Sequence, residues 1–165
     1  FNGNKRNHVK KALKTDVFTF YESAEIKESV WENMNQNLET KFQSKTTHTL
    51  EEIRKLQEKF PQNIISFYAD SRTGDYGAYG LAFCFQNVFH TQYLDVNYAF
   101  SGSYPNLYLI LKMIQRAREM GYDYFSFGAS TEDGGNILNY GLYHYKAGYG
   151  GGDVLLPLYT WEADK

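Results

Sequence analysis

A chain of 165 residues, 42% apolar and 22% charged, can bury one ordinary core and is neither disordered nor fibrous. Its net charge of −2 gives no global field that would draw it to nucleic acid or a membrane surface. The one cysteine, Cys84, excludes an intrachain disulfide and lies within an apolar strand pattern, so a buried thiol in a reducing compartment is expected. No apolar run approaches the roughly 18 residues that span a bilayer, and no secretory leader pattern is present, so a cytoplasmic location is expected. Because the chain begins at Phe1, we expect residues 1–165 to form a single domain that is the C-terminal module of a longer protein.

Residues 4–14 (NKRNHVKKALK) predict a short basic lead-in helix. Such a basic start suits phosphate contact or simply a solvated helix face. Residues 16–21 alternate and predict a strand. Ile26, Val30, Trp31, Met34 and Leu38 recur at helical spacing, and after a polar loop at 42–48, Thr49 and Glu52 form a capping box. Leu50, Ile53, Leu56 and Phe60 make the stripe of that second helix, which Pro61 ends. Residues 63–69, 78–86 and 88–96 predict an antiparallel meander. A helix from Pro105 to Met120, closed by Gly121, leads into a strand at 122–127, so that strand and 88–96 should run parallel. A helix at 136–147 and a last strand at 154–161, demoted to an edge by Pro157, complete the order. The fold class is α/β (α+β), a mixed sheet of six or seven strands.

Strict alternation along 88–96 puts His90 and Gln92 on one face and Thr91, Tyr93 and Asp95 on the other. The four histidines are dispersed and Cys84 has no ligand partner at metal spacing, so no metal site is expected. Without a G-x-S-x-G elbow, a serine hydrolase is not expected either.

The stretch FSFGASTEDGGNILNYGLYHYKAGYGGG (125–152) carries the pattern F-x-F-G-x-S-T-x-x-x-G-x-x-L-N-x-G-L-x-x-x-K-x-G-[FY]-G. It resembles the C-terminal signature of the Fem-type and related bacterial acyltransferases of the GNAT superfamily. RNHVKKAL (6–13) resembles the lead-in to the second GNAT module of Fem-type proteins, and FHTQYLDV (89–96) a fourth GNAT strand of Bacteroidetes-type acetyltransferases. Pro105, Leu109, Leu111, Ile114, Ala117 and Gly121 fit the helix that follows.

The resemblance implies a GNAT fold and direct acyl transfer to an amine, with an acetyl-CoA or other acyl-CoA donor. The acceptor would be an amine-bearing small molecule or a peptidoglycan or surface-glycan precursor. It gives Lys146 the role of stabilising charge on the acyl group, and Asp95, Glu132 or Asp133 the role of base. Tyr93, Ser130, Thr131, Asn136, Asn139 and Tyr143 would bind substrate, although a capped turn accounts equally well for Ser130 to Asn139. Ser101, Gly102, Ser103 and Asn106 occupy the place of the pyrophosphate loop, here AFSGSYPNLY, without that loop's glycine pair or basic residue. The departure opens two alternatives. Aminoacyl-tRNA can be the donor, as in Fem-type enzymes, with tRNA touching the basic start. Otherwise the chain is a non-catalytic module that completes a cleft with a first GNAT module.

Overall fold

Five strands form the main sheet because five segments carry β-branched and aromatic residues between polar turns. The computed structural model describes residues 2–14, 16–157 and 159–161. In chain order the elements are helix α1 (Gly3–Lys14), strand β1 (Phe18–Ser23), helices α2 (Glu28–Phe42) and α3 (Leu50–Lys59), and strands β2 (Ile64–Ser71), β3 (Tyr76–Phe85) and β4 (Val88–Val96). A 3-10 helix (Tyr98–Ser103), helix α4 (Pro105–Glu119), strand β5 (Tyr124–Ser126), short strands β6 (Thr131–Glu132) and β7 (Ile137–Leu138), and helix α5 (Tyr140–Ala147) follow. They gather into two compact units, residues 7–128 and residues 1–6 with 129–165.

In the larger unit the sheet order is β1-β2-β3-β4-β5. The first three pairings are antiparallel and the last is parallel, as the meander and the crossover helix require. Two apolar layers hold the sheet. On one face Phe67, Ala82, Cys84 and Phe89 pack with Leu109 and Met113 of α4. On the other, Tyr68, Tyr79 and Leu81 pack with Val30, Trp31 and Met34 of α2 and Ile53 of α3. Small residues bring α4 close: a Cβ at Gly80 would lie 2.7 Å from Met113 Sδ. The capping box of α3 is complete, with Thr49 Oγ1 accepting from Glu52 N at 3.2 Å and Glu52 Oε2 accepting from Thr49 N at 2.7 Å.

Polar groups pin the segment before α2. Lys27 Nζ donates to Asp70 Oδ2 at 2.7 Å and to Tyr21 Oη at 2.7 Å. Burial opposes the Lys27 charge, but the bonds to Asp70 and Tyr21 outweigh it and raise the pKa.

Two expectations are corrected. Among the described residues the main sheet has five strands rather than six or seven, and those of 154–161 do not form the expected last strand. Pro157 gives the sheet no N–H there, and the Gly150–Gly152 run sets no register. Residues 131–138 form a small antiparallel hairpin, with Thr131 opposite Leu138, so the helix expected from 136 begins at Tyr140. Asn139 sets that start, its Oδ1 accepting from Leu142 N at 2.9 Å. Among the described residues no helix is long and apolar enough to cross a membrane.

Candidate active site

Strand β4 is paired unequally on its two sides. On the β3 side it is paired from Val88 to Val96. On the β5 side pairing covers only Val88–His90, opposite Tyr124–Ser126. From Thr91 onward the β5-facing edge of β4 has no strand partner among the described residues. Where the strands part, Thr91 Oγ1 donates to Ser126 O at 3.0 Å and His90 Nδ1 lies 3.1 Å from Ser126 Oγ.

A bulge sits at the same place. Leu81 opposes Tyr93 while its neighbour Ala82 opposes Thr91, so Gln92 is an extra residue on β4. The bulge resets the alternation. His90 opposite Phe83, Tyr93 opposite Leu81 and Asp95 opposite Tyr79 all share the α2–α3 face. Thr91 lies opposite Ala82 and Leu94 opposite Gly80, on the α4 face. The expected grouping of Thr91 with Tyr93 and Asp95, against His90, is therefore corrected.

Asp95 is buried at the C-terminal end of β4, 7% exposed. Asn33 Nδ2 donates to its Oδ2 at 3.1 Å and Asn37 Nδ2 to its Oδ1 at 2.9 Å. Tyr76 Oη also donates to Oδ2, and burial followed by the Asp95 charge pushes the Tyr76 pKa strongly upward. Asn33 and Asn37 are four apart on α2 and so share a face. That spacing is the signal by which the sequence could have given them, and it was missed, as was Tyr76. Tyr93 Oη, by contrast, is held by His48, accepting from its N–H at 3.2 Å and lying 2.8 Å from Nδ1.

Beyond β4, the 98–103 turn feeds α4. Ser101, Gly102 and Ser103 lie in that turn and Asn106 in the first turn of α4. Pro105 supplies no N–H, so Asn106 and Leu107 carry the first-turn amides, where a helix favours negative charge. Between turn and helix, Tyr104 adopts φ 57, a left-handed conformation uncommon for a side chain of its size. Its ring stacks on His8, centroids 4.4 Å apart, and Lys11 Nζ lies 5.3 Å from the ring centroid. A cation absent from the turn itself is thus supplied by Lys11 of α1.

The smaller unit carries the remaining candidates. Lys146 Nζ donates to Ala129 O, and burial lowers its pKa. Glu132 Oε1 accepts from Asn139 Nδ2, and Asn136 Nδ2 donates to Asp133 O at 2.8 Å. Asn139 N donates to Ser130 O at 2.9 Å, while Thr131 pairs with Leu138 in the hairpin. Tyr143 Oη donates to Asp153 Oδ2 at 3.1 Å. Most of this polar turn holds itself together, which is what a capped turn requires. Among the described residues no group of three or more His, Cys, Asp or Glu is arranged to hold a metal.

The family model described as "Acetyltransferase (GNAT) domain" matches residues 4–147. The chain belongs to the GNAT acetyltransferase family. Among solved structures, this GNAT domain is similar to an aminoglycoside acetyltransferase from an uncultured soil metagenomic sample, in complex with sisomicin. Identity is 16% and the TM-score 0.59, over 90% of this chain and 99% of the other. It is also similar to AAC(6')-Iy in complex with a CoA-containing bisubstrate analogue, at 11% identity and TM-score 0.55, over 89% and 98% of the two chains. A third is glucosamine-6-phosphate N-acetyltransferase from Arabidopsis thaliana, at 15% identity and TM-score 0.53, over 86% and 98%. At these identities the likeness is one of fold. Among curated proteins no match is found. The residues of this GNAT domain fit an acyl-CoA: β4 has an edge to offer a carbonyl, and the α4 N-terminus, flanked by His8 and Lys11, suits a diphosphate.

Proposed function

We propose that the chain transfers an acyl group, acetyl first among them, from an acyl-CoA to a primary amine of a small molecule by direct attack. The observation that carries this reading is the open edge of β4 after His90, next to the Gln92 bulge and leading to the α4 N-terminus. An acyl-CoA supplies, when bound, a thioester carbonyl as electrophile. The free amides of β4 beyond Thr91 are suited to hold a developing oxyanion, because preorganised backbone donors stabilise charge with little reorganisation. Ser101–Ser103 and Asn106 would position the donor, with Lys11 offsetting its negative charge.

Asp95 would take or orient the proton of the attacking amine. Its Oδ1 accepts from Asn37 Nδ2, and a carboxylate oxygen can accept more than one such bond. Lys146 would stabilise charge on the acyl group, a role its partly buried, pKa-lowered amine suits; Glu132 and Asp133 are the other candidate bases. Tyr93, Ser130, Thr131, Asn136, Asn139 and Tyr143 are proposed acceptor contacts. The acceptor would be an amino sugar or another amine-bearing cell-envelope precursor, and the site of action the cytoplasm; the resemblance of 125–152 to Fem-type proteins supports both.

One observation favours a second reading. Residues 97–106 contain no Lys or Arg, which suits an aminoacyl-tRNA donor or a non-catalytic module that needs no pyrophosphate loop. Calorimetric titration with acetyl-CoA and CoA separates the two. Binding near micromolar, roughly −8 kcal/mol, weakened by Lys11→Ala, supports the acyl-CoA reading. Absence of heat at high protein concentration overturns it in favour of the second.

A further inference from the structure

Strands β4 and β5 part at one pair of polar side chains. His90 and Ser126 are the last residues in register before the opening. His90 Nδ1 lies 3.1 Å from Ser126 Oγ. Ser126 Oγ also accepts from Gly128 N at 3.2 Å. A hydroxyl that holds that amide can turn its own proton to the imidazole, which makes His90 Nδ1 the acceptor of the pair. Gly128 makes room for the ring. A Cβ there would lie 3.1 Å from His90 Cε1, and its φ of 71 is one that larger residues rarely adopt.

Three features set this pair apart from a simple bridge between strands. Both side chains are half-buried, so a molecule seated in the opening can reach them. They lie on the face that carries Tyr93 and Asp95. They also border Thr91, where the edge proposed to hold the acyl carbonyl begins.

Acyl transfer leaves one proton without a carrier. An alkyl amine arrives as an ammonium and loses two protons on becoming an amide. Asp95 is proposed for the first. The second leaves the nitrogen as it attacks, and the departing sulfur takes one up.

We propose that Ser126 and His90 carry this second proton from the attacking nitrogen to the departing sulfur, an inference that rests on the acyl-transfer reading. As the C–N bond forms, Ser126 Oγ takes the amine proton and passes its own to His90 Nδ1. As the C–S bond breaks, its electron pair goes to sulfur, and His90 returns the proton through Ser126. The pair ends as it began. An imidazole suits the task, being ordinarily neutral at pH 7 yet basic enough to take a proton.

The test has one arm without any substrate. In the ligand-free chain, imidazole nitrogen NMR should show neutral His90 unprotonated at Nδ1, with that resonance moving in Ser126→Ala. A neutral ring protonated at Nδ1 overturns the proposal. The second arm follows thiol release from acetyl-CoA with D-glucosamine as the probe amine. We expect kcat to fall about a hundredfold in His90→Gln and in Ser126→Ala, with acetyl-CoA affinity by calorimetry unchanged. The acid limb of the parent's kcat profile should follow the His90 titration seen by NMR and vanish in His90→Gln. Ser126→Thr, which keeps the hydroxyl, should recover most of the rate. Parent-like kcat and pH profile in both variants overturns the proposal and leaves the acyl-transfer reading standing. A parent chain that binds no acetyl-CoA overturns that reading, and the proposal with it.

Discussion

Thr91 and Tyr93, two residues apart on β4, face opposite sides of the sheet. In a regular strand they would share a side. The cause is Gln92, the extra residue of the bulge, which delivers Tyr93 and Asp95 to α2 and leaves Thr91 on the α4 side.

Deleting Gln92 should therefore leave its neighbours on their present faces. With the extra residue gone, Thr91 and Tyr93 are adjacent and alternate as in a regular strand, so Tyr93 and Asp95 still face α2 and Leu94 still faces α4. We expect Gln92→Ala to keep a cooperative melt within about 1 kcal/mol of the parent, and the deletion to keep a cooperative melt as well. Thermal circular dichroism on both variants measures this.

Asp95 combines a structural and a proposed chemical role, and two substitutions separate them. Asp95→Ala strands the donors of Asn33, Asn37 and Tyr76, at about 3 kcal/mol in total. Tyr76→Phe removes one donor and should cost about 1 kcal/mol while the carboxylate stays. If Asp95 handles the amine proton, Tyr76→Phe retains turnover and Asp95→Asn loses it while still folded. Equal losses in both, tracking stability, would reduce Asp95 to an anchor.

Lys5 predicts a pH dependence. Its Nζ lies 3.9 Å from the ring centroids of both Tyr145 and Tyr149, and among the described residues no carboxylate pairs with it. Burial pushes its pKa down to about 8 from an ordinary 10.5, while the ring faces favour the charged form. Burial dominates, because two rings replace only part of the water shell. Between the two values the unfolded chain binds more protons, so this contribution grows as pH rises from about 8 toward 10.5 and is lost on the way back down. Urea melts across that range should show the rise, and Lys5→Met should remove it. A parallel pH response in Lys5→Met would assign the effect to other groups.

The capping box of α3 gives the simplest stability test. Thr49→Ala loses the bond to Glu52 N and should cost about 1 kcal/mol. Glu52→Ala should cost less, because the Thr49 side chain still caps the helix. Denaturant midpoints at a common slope decide it.

These cases show how far the residues reveal the molecule. The meander and both long core helices were legible, because alternation and a 3.6-residue stripe are written directly in apolar side chains. So was the α3 cap, which needs only Thr49 and Glu52. The bulge was not: Gln92 is an ordinary strand residue, and only the cross-strand register exposes it. The 131–138 hairpin was hidden by the asparagines at 136 and 139, which suit a helix start as well as a turn. Of the candidate site, the strand and its Asp95 were visible. Its partners Asn33, Asn37 and Tyr76 were not, since a buried polar contact spanning 62 residues leaves no local trace.

Gly80 contributes no side chain, and that emptiness has a reach of its own. Met113 occupies the room a methyl would need, with the end of its side chain, Sδ and Cε, against the backbone of β3. The seat of α4 here is a flexible thioether, so a residue larger than glycine at position 80 would first push that side chain aside and only then press on the helix behind it. A small gain of volume at this point is absorbed by one soft neighbour, and Gly80→Ala should be tolerated better than the crowding alone suggests.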